Sequence, residues 1–456
     1  MANFSIDIFI VIAYFFLLFI VGILNNSDRF SFKYTKKNIT EYTGIILIGT
    51  IFTSSVGGGT TIGLMQNIFN YDLSYVYGIL FAVPFDIIIG LILLPKITQY
   101  FGKISVGDIL YAHYGKYGSI VSGFCAIIIS VGYIAAQISV SSYIFEYLLG
   151  INKFYGIILS YTIIITYASF GGLKAILYTN LMQFFGIIIG VPLIGIILFK
   201  TNDLNIIQYN EKYNIIEHSN LFWGSIYIMI NFSFALLTPN FIQRGLLMES
   251  PKLLQKALIT KSIIYAIFII IIAFNGLLLY AKYHSLNLTG YSIEEFNLLF
   301  ENFFIGAKGI IAVGLLASAT STADSDLNII SISLYNDIYK KLTDAKHEYE
   351  RILFKIITAL IGFCSILIAL AYKNIIEIIM FGASFWGPII FVPLCGVFYN
   401  IKINKKQFLF LSCITLIFCI LWDIFSKSQI KAMFIGILFN FIIFNIFLWI
   451  NKIKKY

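Results

Sequence analysis

The sequence predicts an all-α, polytopic membrane protein that forms a single transmembrane domain over residues 1–456. Two observations carry this. Of the 456 residues, 59% are hydrophobic and only 12% charged, with a mean hydropathy of +0.89. Apolar runs of about twenty residues, the length needed to cross a hydrocarbon core about 30 Å thick, recur along the whole chain. Bilayer thickness sets run length, so this signal is independent of the unusual richness in Ile, Phe and Tyr.

Thirteen spans follow in order: 5–24, 43–66, 76–95, 119–148, 154–170, 176–199, 221–239, 258–280, 307–336, 353–371, 375–399, 408–425 and 432–450. An odd number puts the termini on opposite sides. Of the 31 Lys and Arg, 23 fall in the loops on one side. By the positive-inside rule the N-terminus is outside and the tail carrying Lys452, Lys454 and Lys455 is cytoplasmic. The first span has Asp7 and no basic segment before it, so it reads as a retained helix and not a cleaved signal. The net charge of +9 belongs to these juxtamembrane loops and gives no reason to expect nucleic-acid binding.

The second span contains Thr53-Ser54-Ser55-Val56-Gly57-Gly58-Gly59-Thr60-Thr61. Each glycine costs a helix about 1 kcal/mol relative to alanine, so the span is expected to be broken there. Two uses fit such a break: freed carbonyls that ligate a cation beside a cavity, or a small-residue surface for close helix packing. The third span carries Asp86, the one carboxylate deep within it. It either meets a substrate amine or sits hydrogen-bonded within the bundle. No Arg or Lys is expected mid-span in the core. Cys125, Cys364, Cys395, Cys413 and Cys419 form no CxxC pattern and read as packing residues. The four histidines are scattered among loops and build neither a metal site nor a triad.

The ninth span is the most informative. Ser318, Ser321, Thr322, Ser325 and Asn328 recur at helical offsets and share one face, with Asp324 at its edge. Polar groups at membrane depth mark ion or substrate pathways. The alternative is hydroxyls bonded back to carbonyls one turn earlier. No GxSxG elbow or phosphate-binding loop occurs, which argues against an enzyme or an ATP-driven pump.

These features together resemble the sodium:solute symporter family. The resemblance runs over most of the chain. It is carried by the break from Ser55 to Gly63, Gly171-Gly172-Leu173-Lys174-Ala175 leading to Tyr178-Thr179-Asn180, the stretch Pro239 to Arg244, and Ser321-Thr322-Ala323-Asp324-Ser325. It implies a leucine-transporter-type core of two inverted five-helix repeats, about 43–199 and 221–399, with 5–24, 408–425 and 432–450 peripheral. It also implies Na⁺-coupled symport of a small polar organic solute by alternating access, with Na⁺ as coupling ion and no organic cofactor.

By the same resemblance, one sodium would be held by the carbonyls of Thr53, Val56 and Ser318 and the hydroxyls of Ser321 and Thr322. The family commonly has Asp where this chain has Asn180. A second ion would then rest on Asn180, Asp324 and Ser325, with Asp324 supplying the missing carboxylate. Gly57, Thr60, Asp86 and Asn231 are the expected substrate-facing positions, and sugar, amino-acid and carboxylate classes all stay open. Arg244, Lys252 and Lys174 read as solvated loop charges, the alternative being inner-gate pairs with Asp326 or Asp337. A proton-coupled or exchange carrier of the same fold is the runner-up. A derived membrane sensor is disfavoured by a chain ending six residues after its last span. The expected location is a bacterial inner membrane, in contact with the lipid bilayer; the oligomeric state is not legible.

Overall fold

The computed structural model describes residues 6–24, 44–70, 73–170, 173–201, 224–226, 229, 237–246, 250–285, 304–343, 350–371, 375–425 and 432–453. Within them the chain forms helices and the turns between them: α1 Ile6–Leu24, α2 Gly44–Ser55, a π turn Gly59–Gly63 running into α3 Leu64–Asn70, α4 Ser74–Ile97, α5 Val106–Leu149, α6 Lys153–Phe170 and α7 Leu173–Thr201. There follow α8 Pro239–Leu246, α9 Pro251–Ser285, α10 Ala307–Ile332 extended by a π turn Ser333–Tyr339, α11 Glu350–Ala371, α12 Ile375–Phe398, α13 Lys405–Phe425 and α14 Ala432–Ile453. Seven of these are long and apolar enough to cross a membrane, and several shorter apolar helices accompany them. This is an integral, multi-pass membrane protein. Every predicted span coincides with a helix except the seventh, 221–239, most of which lies outside the described residues.

Two helices start earlier than their apolar runs. α5 begins at Val106, where the Ser105 hydroxyl accepts from the Asp108 N–H at 3.0 Å and so satisfies an orphan donor of the first turn. Asp108, His113 and Lys116 interrupt the hydropathy, and the helix itself kinks between the last two at Gly115, whose φ of +63° is left-handed. His113, expected in a loop, is therefore on α5, sharing a 2.9 Å hydrogen bond with Tyr100. α9 begins at Pro251, whose missing N–H is harmless at a first helical position.

The architecture centres on α10. It is buried almost throughout its length, polar residues included, and packs against α1, α5 and α7. Its approach to α7 is backbone to backbone: a Cβ on Gly190 would stand 2.6 Å from the Ile310 carbonyl, and one on Gly314 2.8 Å from the Gly190 Cα. Small residues permit this contact where lipid supplies no hydrophobic drive for helices to associate. On the other side, the Asp7 carboxylate accepts from the Gly309 N–H at 2.7 Å, satisfying a first-turn donor of α10, and Tyr14 shares a hydrogen bond with Thr320 at 3.2 Å. α10 is thus fixed from several sides, and its hydroxylated face turns towards the break in the second span.

Candidate functional site

The second span is broken where its glycines fall. α2 ends at Ser55, Val56 closes the last turn on Phe52 (3.0 Å), and the chain re-enters as a π turn at Gly59. The Gln137 side chain on α5 accepts from the Gly58 N–H at 2.7 Å, replacing a bond the helix no longer makes. An ideal Cβ on Gly58 would lie 2.3 Å from Val140. Glycine therefore serves close approach here as well as unwinding. Thr60 and Thr61 donate to the Gly57 carbonyl at 3.0 and 3.1 Å, taking up acceptors the break releases.

Four of the five residues expected to ligate the first ion meet at this break. The Ser321 hydroxyl lies 3.3 Å from the Thr53 carbonyl and 3.1 Å from the Ser318 carbonyl. The Thr322 hydroxyl stands 3.4 Å from the Ser318 carbonyl. Val56, the fifth, is fully buried one turn after Thr53. Thr61 and Ser318 tie the two elements by a 3.2 Å hydroxyl contact. The carbonyls at the end of α2 are those a helix leaves without internal partners, and those of α10 carry hydroxyls bonded back one turn. Carbonyl and hydroxyl oxygens suit a hard monovalent cation in chemistry, and no charged residue is among the five.

One turn along α10 the character changes. Arg244, on α8, is 4% exposed. Its guanidinium donates to Ser325 at 2.8 Å, to Thr50 at 3.3 Å and to the Asn240 carbonyl at 2.9 Å. Asn240 in turn donates to Asp326 at 2.7 Å, and Ser130 donates to the same carboxylate oxygen at 3.0 Å. Both Asp324 and Asp326 act electrostatically on the guanidinium. Asn180 donates to Thr50 at 2.8 Å. All three residues expected at a second ion are thus near one another, with a fixed cation among them. Arg244, expected as a solvated loop charge, is buried because α8 packs it into the bundle against α2, α5 and α10. Asp337 does not pair with it; that carboxylate accepts from Ser105 at 2.5 Å and from Asn336 at 2.8 Å.

A cavity of about 150 Å³ opens beside the break, and Gly57, Thr60, Asp86 and Thr322 all line it. Asn231 lies outside the described residues. Sequence reasoning missed three further lining groups: Gln137, Lys261 and Tyr265. Gln137 is an isolated amide in an apolar run, the same signal that singled out Asp86. Lys261 sits within three residues of a predicted span boundary and was counted with the loops, yet it is 3% exposed. The expectation of no mid-bundle cation is therefore overturned, because α9 begins earlier than its apolar run and carries Lys261 nearly three turns into the bundle.

The sequence model of the sodium:solute symporter family matches residues 40–410. No curated protein sequence matches the chain. Among solved structures, a Na⁺-coupled sialic acid symporter in a substrate-bound outward-open state superposes with a TM-score of 0.81 at 19% identity, covering 98% of each chain. Mhp1, a nucleobase-cation-symport-1 family transporter with bromovinylhydantoin bound, gives 0.60 at 12% identity over 90% of this chain and 92% of that one. MhsT in complex with L-phenylalanine gives 0.53 at 15% identity, over 88% and 97%. At these identities the structures speak to the fold, which is the leucine-transporter type.

Proposed function

We propose, from the premise that the chain belongs to the sodium:solute symporter family, that it couples entry of a small polar organic solute to one Na⁺ by alternating access. The observation that carries this reading is the meeting of Thr53, Ser318 and Ser321 oxygens where the broken second span crosses α10. Neutral oxygens replace a hydration shell without a fixed counter-charge, so the ion is held and still released. Thr53, Val56, Ser318, Ser321 and Thr322 are its ligands in this account. A second ion is disfavoured: Asn180 replaces a carboxylate, and the Arg244 guanidinium already answers Asp324 and Ser325. The solute occupies the cavity lined by Gly57, Thr60 and Asp86, with Asn231 of the seventh span as a further expected contact.

One ion is energetically sufficient. A charge crossing 100 mV releases about 2.3 kcal/mol and a tenfold gradient about 1.4 kcal/mol. Together they support roughly 500-fold accumulation of a neutral solute. The inverted repeats, about 43–199 and 221–399, would rock against one another around the fixed site, with 5–24, 408–425 and 432–450 outside the moving core. The N-terminus is assigned outside and the C-terminus to the cytoplasm of a bacterial inner membrane.

Binding of radioactive sodium to purified protein tests the reading. Saturable binding displaced by unlabelled Na⁺ but not by K⁺, and lost in Ser321→Ala/Thr322→Ala, is expected. Binding equal in the double variant would contradict the assigned site.

A further inference from the structure

Of the three charged side chains that line the cavity, Arg244 is held by Ser325, Thr50 and Asn240, whereas Asp86 and Lys261, of opposite sign, do not contact each other. Asp86 on α4 is 7% exposed, and its Oδ1 atom is buried with no hydrogen-bond partner. Lys261 on α9, 3% exposed, holds its ammonium 4.9 Å from the centre of the Tyr265 ring. Each is within the other's electrostatic reach, but no ion pair within 4.0 Å joins them. Both line the same cavity, whose wall also carries the apolar side chains of Leu64, Ile79 and Ile379 and the polar ones of Gln137, Thr322 and Tyr265.

A buried carboxylate oxygen with no donor is unfavourable, the ammonium set against the Tyr265 ring has no counter-charge in contact, and the pair gains little from attraction across a gap. A ligand that brings an ammonium to Asp86 and a carboxylate to Lys261 removes both deficits with charge-assisted hydrogen bonds. An anion alone would leave Asp86 unanswered and be repelled by it. A cation alone would meet Lys261 in the same way. A neutral polyol would offer hydrogen bonds but no countercharge. The size of the cavity, comparable to an apolar cavity that admits benzene, restricts the occupant to a small molecule.

We infer that the transported solute is a small zwitterion, an amino acid with a short apolar side chain, oriented by Asp86 through its ammonium and by Lys261 through its carboxylate. This rests on the symport reading above and deepens it. Being neutral overall, such a solute leaves the coupled Na⁺ as the only net charge moved.

Thermal unfolding of the full-length protein in detergent separates the two claims. The sodium increment is read first on wild type without solute. Neutral α-, β- and γ-amino acids and glycine betaine are then added singly in NaCl, alongside glucose as the uncharged polyol. For the strongest binder, its methyl ester and the hydroxy acid that carries a hydroxyl in place of its amino group remove one charge at a time. We expect an amino acid to raise the midpoint, glucose to leave it unchanged, and each analogue to bind about ten- to hundredfold more weakly. Asp86→Asn should weaken the amino acid by a similar factor and bring it level with its hydroxy-acid analogue. A wild type that responds to Na⁺ but to no zwitterion, or binds ester and hydroxy acid as well as the parent, overturns the inference and leaves symport standing. A wild type indifferent to Na⁺ that still binds a zwitterion would instead sink the coupling. The analogue series needs no variant, so a poorly folding Asp86→Asn protein does not decide the matter.

Discussion

Two polar clusters lie one helical turn apart on the same face of α10, and they are built on opposite principles. At Ser318, Ser321 and Thr322 the side chains are neutral and meet the neutral carbonyls of a broken helix. At Asp324, Ser325 and Asp326 the side chains answer a buried guanidinium: Ser325 accepts from it directly, Asp326 is linked to it through Asn240, and Asp324 acts on it electrostatically. A ligand that must arrive and leave is best met by oxygens that carry no net charge. A charge that stays inside the bundle needs permanent partners, since burying it alone is prohibitive. Proximity on one face therefore does not make one site.

The largest effect should come from the charged cluster. Arg244→Met leaves Asp324 and Asp326 buried without their cation, and breaking such an arrangement costs about 3–5 kcal/mol. Denaturation in detergent should register this equally in NaCl and choline chloride. A loss seen in NaCl alone would merge the two clusters into one sodium site and break the contrast.

Next is the break itself. Gly58→Ala inserts a Cβ where Val140 stands, and overpacking of this kind costs about 1–3 kcal/mol. Shortening the neighbour should restore most of it, so Gly58→Ala/Val140→Ala is expected to be more stable than Gly58→Ala alone. Failure of that rescue would mean the glycine acts through backbone conformation and not through close approach.

The smallest effect sharpens the comparison from the acidic side. Asp326→Asn retains an acceptor for Asn240 and Ser130 while removing one of two charges that offset Arg244. A destabilisation of about 1 kcal/mol is expected, with the Na⁺ midpoint for stabilisation unchanged. A shifted midpoint would place Asp326 in the ion's field.

The fold was legible because span length is dictated by the bilayer, and the break because three consecutive glycines each cost a helix about 1 kcal/mol. The hydroxylated face of the ninth span followed from helical spacing, and the carbonyl partners came with the family resemblance. What escaped was depth. Arg244 reads as a loop charge and Lys261 falls at the edge of its apolar run, because hydropathy averages over a window and cannot see that α8 turns inward or that α9 starts at Pro251. Gln137 escaped because its role, accepting from the Gly58 N–H, depends on an element 79 residues away. Asn231 stays an expectation, outside the described residues.

The central claim is that the neutral cluster, and not its charged neighbour, holds the coupling ion. Thermal unfolding of wild type and Ser321→Ala/Thr322→Ala in NaCl, KCl and choline chloride tests it most directly. Wild type should be stabilised by Na⁺ alone, by about 1.4 kcal/mol when Na⁺ is tenfold above its dissociation constant. The double variant should lose that increment while unfolding in choline much as wild type does. A Na⁺ increment that survives the double substitution, or equal midpoints for wild type in all three salts, would contradict the account.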